Sequence, residues 1–169
     1  MAYFKELGDV VNKVIELIGK DKELLKLVGY PQTDESKCTI DNLMLKNIFL
    51  MPRGADSIKE EKTFLNIYID KTYPYGKDSG FRESYLTFDI FSHLNIWIMP
   101  ETNEIRPYLI SSKIDEIFNN NFNKDVRQIS LKAPYFLSWE VYRYGEYFYG
   151  YKLRYCISND SNVGKRDNG

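Results

Sequence analysis

Between Tyr135 and Tyr155, ten of 21 residues are aromatic, with Gly145-Glu146 near the middle. Beyond that dipeptide the residues alternate: Tyr147, Tyr149, Tyr151, Leu153, Tyr155 and Ile157 fall on one side of an extended chain. Phe148, Gly150, Lys152, Arg154 and Cys156 fall on the other. Aromatic residues suit a pleated surface, and a central glycine suits a turn, so the segment predicts a hairpin of strands 136–143 and 147–157. An isolated hairpin is marginal in water; this one needs further strands and a layer to cover it. The plainest use of the six-residue row is to fill a core beneath a helix. That row is longer than one helix easily covers, which leaves its turn end (Tyr144, Tyr147, Tyr149) available to another subunit, because tyrosine is favoured at interfaces.

The rest of the chain supplies the partners. Residues 63–70 (TFLNIYID) alternate and predict a strand, and a second runs from about Arg82 to Leu94, with 95–99 continuing it past a kink. Between them, 73–80 is dense in proline and glycine and reads as a long hairpin loop. Ile110, Ile114, Ile117 and Phe118 form the stripe of a helix that opens at Pro107 and ends at Asn119-Asn120-Asn121. Ile129 and Leu131 mark a short strand. Residues 1–30 read as helix, with Leu7, Val10, Val11, Val14, Leu17 and Ile18 on one face, a stop at Gly19, a new N-cap at Asp21 and an end at Gly29-Tyr30-Pro31. Residues 41–48 fit either a helical turn or an extended stretch, and 49–62 is irregular and charged.

The resulting order, helices followed by β-β-α-β-β, predicts an α+β fold. Its sheet is antiparallel or mixed, with the N-terminal helices and one central helix packed on a face. The 169 residues fit one domain, 1–157, with its helical region at 1–30 and a flexible polar tail at 158–169.

Chemical motifs are sparse. The single histidine, His93, has Asp89 and Ser92 nearby in sequence but no H-x-x-x-H partner. Cys38 and Cys156 are 118 positions apart and have no metal-ligand spacing; two packed thiols are the expectation. No glycine-rich phosphate loop occurs, and Glu60-Glu61 and Asp115-Glu116 suit solvated surfaces. Catalytic, cofactor and metal residues are therefore expected to be none. The 23 Lys+Arg nearly cancel 24 Asp+Glu, which argues against a protein built to grip nucleic acid. Residues 124–169 carry eight basic and five acidic groups, net +3, and residues 1–123 balance them at −4. That mild polarity favours head-to-tail attraction between copies. No apolar run is long enough to span a bilayer, and the N-terminus lacks a leader pattern, so a soluble, unexported chain is expected.

Several of these segments occur together in a known group. Tyr85-Leu86-Thr87-Phe88-Asp89-Ile90-Phe91 leads through Trp97 to Arg106-Pro107-Tyr108, the helix Ile110 to Phe118, a short strand and a hairpin ending Tyr149-Gly150-Tyr151-Lys152-Leu153. The stretch 65–155, with Asn47-Ile48-Phe49 upstream, resembles the neck and tail-completion proteins of tailed bacteriophages, which include tail terminators and head–tail joining proteins. The resemblance implies an α+β sandwich that forms a closed homo-oligomeric ring, often a hexamer, without catalysis. It implies tail-tube and neck or portal-adaptor proteins as partners, DNA passing through a channel without sequence-specific binding, and no membrane. The expected location is the virion neck or tail, with the host cytoplasm during assembly. Subunit contacts in that group use sheet edges and projecting loops, here Tyr73, Tyr75 and Lys77 of the 73–80 loop and Tyr144, Tyr147 and Tyr149 at the hairpin tip. The 49–62 segment has no counterpart there. Two other readings stand beside it: an aromatic platform for carbohydrate using Trp139 and its tyrosines, with single-stranded nucleic acid a lesser form, and a small hydrolase using His93 with a cysteine or carboxylate.

Overall fold

The computed structural model describes residues 2–32, 34–52, 60–74, 81–119 and 134–160. Helix α1 (Ala2–Lys20) is followed by α2 (Lys22–Gly29), and the Asp21 carboxylate accepts from the Leu24 N–H at 2.9 Å as the N-cap of α2. A 3₁₀ turn (Glu35–Lys37) and the single turn α3 (Ile40–Leu43) lead to β1 (Ile48–Phe49). Then come β2 (Thr63–Pro74), β3 (Phe81–His93), α4 (Arg106–Asn119), β4 (Tyr135–Tyr144) and β5 (Phe148–Asp160).

The strands form one mixed sheet in the order β1-β2-β3-β5-β4. Strand β1 runs parallel to β2, and the other pairs are antiparallel. Leu65 and Ile67 of β2, Leu86, Phe88 and Ile90 of β3, and Tyr151, Leu153, Tyr155 and Ile157 of β5 share one sheet face. Against it pack Val10, Val14, Leu17 and Ile18 of α1, Leu24, Leu25 and Val28 of α2, and Ile110, Ile114 and Phe118 of α4. This is the expected helix layer. Each of these side chains contributes about 1.5–3 kcal/mol on leaving water. A smaller cluster (Phe49, Phe64, Phe91 and Phe148, with Tyr144 against it) lies on the alternate positions, so it sits on the opposite face.

Residues 41–48 hold both of the conformations they fit: a helical turn to Leu43, then β1. The buried Asn47 explains the switch. Its side-chain amide donates to the Val28 carbonyl at 3.2 Å and the Thr63 carbonyl at 2.9 Å, tying α2, β1 and β2 at one point. Residues 95–99 do not continue β3. His93 instead caps a 3₁₀ turn (Leu94–Ile96), its Nδ1 accepting from the Asn95 N–H, and Ile98 makes only an isolated bridge to Ile105. Strand β5 runs three residues into the expected tail. The short strand at 129–131, most of the 73–80 loop and residues 161–169 lie outside the described residues.

Fully buried Arg106 fixes the entry to α4. Its Nε donates to the Ile96 carbonyl at 2.8 Å, and its guanidinium carbon sits 3.7 Å from the Tyr30 ring centre. Its two Nη atoms find no hydrogen-bond partner among the described residues, so the Tyr30 ring face, the Ile96 carbonyl and the more distant Glu101 carboxylate are what stabilise the charge. Burial accordingly lowers the pKa of this guanidinium.

Candidate assembly surface

Strand β4 lies at the edge of the sheet and pairs only with β5 among the described residues. Its exposure does not alternate. Tyr135, Phe136, Leu137, Trp139, Val141 and Tyr142 are all exposed, Val141 by 70%. A register irregularity between Phe136 and Ser138 interrupts the pleat, and beyond it Trp139 and Val141 stay on the helix side while Tyr142 turns to the other. An edge strand with apolar side chains on both faces is a surface that natural proteins normally blunt or cover.

Between β4 and α4 runs an apolar groove of about 400 Å³, walled by Tyr108, Phe136 and Trp139, with Leu153, Ser112 and Asp115 also lining it. Trp139 lies stacked on Tyr151, ring centres 4.5 Å apart and planes 22° apart, and Tyr108 stacks on Trp139 at 5.8 Å. The Tyr155 hydroxyl donates to Asp115 Oδ1 at 2.7 Å, which leaves Oδ2 available. Burial and the neighbouring carboxylate push the Tyr155 pKa upward, so the phenol stays protonated and continues to donate.

The proposed interface tyrosines divide. Tyr147, 49% exposed, stacks flat on His93, with ring centres 5.7 Å apart. Tyr149 is half-buried on the helix-facing side of β5, with the Arg143 guanidinium 5.3 Å from its ring centre. Tyr144 does not project: its ring packs on Phe91 at 5.2 Å and joins the smaller aromatic cluster. Tyr73 closes β2, exposed, with its ring against Tyr85 at 5.5 Å. Tyr75 and Lys77 lie outside the described residues. Exposure therefore concentrates on β4 rather than at the turn. The signal was present in Tyr135-Phe136-Leu137 and Val141-Tyr142, where adjacent apolar residues break the period of two.

The face opposite the helices holds a charged lattice. The Tyr68 hydroxyl donates to Asp89 Oδ2 at 2.9 Å, and Lys152 Nζ stands 3.5 Å from Asp89 Oδ1, an ion-pair distance without hydrogen-bond geometry. Arg154 bridges Glu140 on β4 at 2.6 Å and Asp70 on β2 at 3.5 Å. Asp89 is 4% exposed, and burial raises its pKa more than Lys152 and Tyr68 lower it. Every carboxylate here faces a cation on another strand, an arrangement suited to fixing register.

His93 lines a small depression with Glu61, Asn95 and Tyr147. Cys156 pairs with Tyr85, eight positions along β5 from the Phe148 rung opposite His93, about 27 Å at the usual rise. Both cysteines are buried and neither forms a disulfide, and Cys38 sits against Gly29. Among the described residues no three His, Cys, Asp or Glu side chains are grouped to hold a metal, and no helix is long and apolar enough to cross a membrane.

These features define an α+β protein with a helix-covered mixed sheet and an aromatic edge that no other described residue covers. The model of the YomW family matches residues 21–157, and the chain belongs to that family. The family is named after a gene product of the Bacillus phage SPbeta region, which points to a phage-associated protein. No curated protein matches the chain.

Proposed function

We propose that this protein is a non-catalytic structural component of a phage particle, assembling with copies of itself into a ring at the head–tail junction or the top of the tail. The observation that carries the reading is β4, a ten-residue edge strand with apolar side chains exposed on both faces. Desolvating such an edge against another protein removes apolar area from water and closes the open row of backbone groups, two gains that act together. A terminator or neck connector would use that surface between subunits and present other surfaces to tail-tube and portal-adaptor proteins, while DNA passes through the channel. The near-neutral charge suits a channel that DNA must leave easily.

Quantitative mass spectrometry of purified particles tests this. The expected result is a fixed, small copy number per particle, close to six, with tailless heads or unjoined tails when the gene carries a stop codon. Absence of the protein from intact particles would sink it.

The α4–β4 groove gives the carbohydrate reading one specific observation: a rigidly stacked Trp139 beside a carboxylate oxygen with hydrogen-bonding capacity to spare. A Trp139→Ala variant that keeps its fold yet loses binding on a glycan array would favour it.

A further inference from the structure

The sheet ends in two unlike apolar features at its opposite edges. At the β4 edge is the groove. At the β1 edge is Leu45, 74% exposed, with Leu50 and Met51 also exposed on the far side of β1. Leu45 holds φ at 61°, the left-handed region that glycine and asparagine occupy easily and leucine does not. Its N–H donates to the Ile48 carbonyl at 2.9 Å, closing the turn between α3 and β1. An exposed leucine in that conformation costs about 1–2 kcal/mol against a residue suited to it, with little packing among the described residues in return. Such a cost, kept on a protruding apolar side chain, points to an external partner.

Charge agrees with shape. Lys46, next to Leu45, is exposed and has no ion-pair partner among the described residues. Asp115, in the groove, likewise has no cationic partner there. The groove, about 400 Å³ and walled by Tyr108, Phe136 and Trp139, has more than the volume of a leucine side chain and holds the carboxylate in its lining.

We propose that Leu45 of one copy seats in the α4–β4 groove of the next, with its Lys46 drawn to Asp115. The occupant is thus a second copy of this chain. The inference rests on the self-assembly proposed above and names its two faces. A plug at one edge and a socket at the other make a heterologous contact, which propagates head to tail and closes into a ring when the rotation allows.

Two variants spoil one face each. Leu45→Asn removes the plug and suits the left-handed turn. Ser112→Arg changes an exposed helix position and lays a long cation across the socket. Thermal unfolding by circular dichroism checks that both fold, and Leu45→Glu serves as a second plug variant. Light scattering coupled to size-exclusion chromatography then reads the masses. Each variant alone is expected to be monomeric, with self-association at least tenfold weaker than wild type. A 1:1 mixture is expected to give a dimer and nothing larger, because only one intact plug and one intact socket remain. If both folded variants assemble as the wild type does, the plug-and-socket contact is overturned while self-assembly stands. If the wild type itself stays monomeric at high concentration, both readings fall. Saccharide binding lost in Ser112→Arg with assembly unchanged also overturns it, assigning the groove to a sugar.

Discussion

At the residue scale, Gly150 shows how little freedom the fold leaves. Gly150 sits on β5 between Phe91 and Tyr142, and a Cβ there would overlap the Ile90 carbonyl oxygen in the backbone of β3. The neighbour is a strand, not a flexible side-chain end, so it cannot yield. Gly150→Ala is expected to destabilise by more than about 3 kcal/mol, seen as insoluble expression or a large fall in the urea midpoint. Asp89 makes a pH prediction. Its native pKa lies above the ordinary 3.8, so between those two values the folded chain holds a proton that the unfolded chain releases. Stability from this group therefore declines as pH rises through that window, and the loss persists above it. Asp89→Asn removes the titration. Urea midpoints from pH 4 to 7 are expected to show the variant gaining on wild type as pH rises; a difference independent of pH would contradict the assignment. Leu45, by contrast, is a residue the fold tolerates rather than needs, which is why its replacement by asparagine separates stability from assembly.

At the element scale, α2 is the clearest case of a local cap acting on a whole layer. It has eight residues, too few to be stable alone, and buries Leu24, Leu25 and Val28 against the sheet. Asp21→Ala is expected to cost about 1 kcal/mol, measured as a shift in chemical unfolding without loss of the native spectrum. The elements most legible in the sequence were those whose period is long and unbroken. The Ile110, Ile114, Phe118 stripe placed α4, and the alternation of 147–157 placed β5 and its buried row. Strand β1 is two residues long and held by Asn47 reaching across to two other elements, so no local pattern could announce it. Residues 95–99 misled because Ile96 and Ile98 alternate like a strand, whereas His93 had already turned the chain by capping it. On the candidate surface, the sequence drew attention to the turn of the hairpin, whereas the structure exposes more apolar side chains along β4. Tyr144 looked free at the turn, but its ring packs on Phe91 of β3, more than fifty residues away in the chain, within a cluster that also draws on β1, β2 and Phe148 of β5.

At the scale of the whole molecule, the sheet is asymmetric in a way that bears on assembly. One face is covered by α1, α2 and α4 as far as β5, and charges cross from β2 through β5 to β4 on the other, so neither face is a broad apolar surface. Much of the apolar exposure is at the edges: Leu45, Leu50 and Met51 by β1, and six side chains along β4, beside single exposed residues such as Leu94, Ile98 and Tyr147 elsewhere. Molecules with sticky edges of different character grow in one direction, and only closure stops them. The aromatic surplus in 135–155 thus divides into two parts. Tyr151, Tyr155 and Phe148 build the interior, and Tyr135, Phe136, Trp139 and Tyr142 stay exposed at the sheet edge. The most direct test is native mass spectrometry of the wild-type chain across a hundredfold range of concentration. Self-assembly into a ring predicts one closed oligomer, near six subunits, whose mass stops growing as concentration rises. A monomer throughout, or a ladder of ever-larger species with no favoured mass, would contradict it.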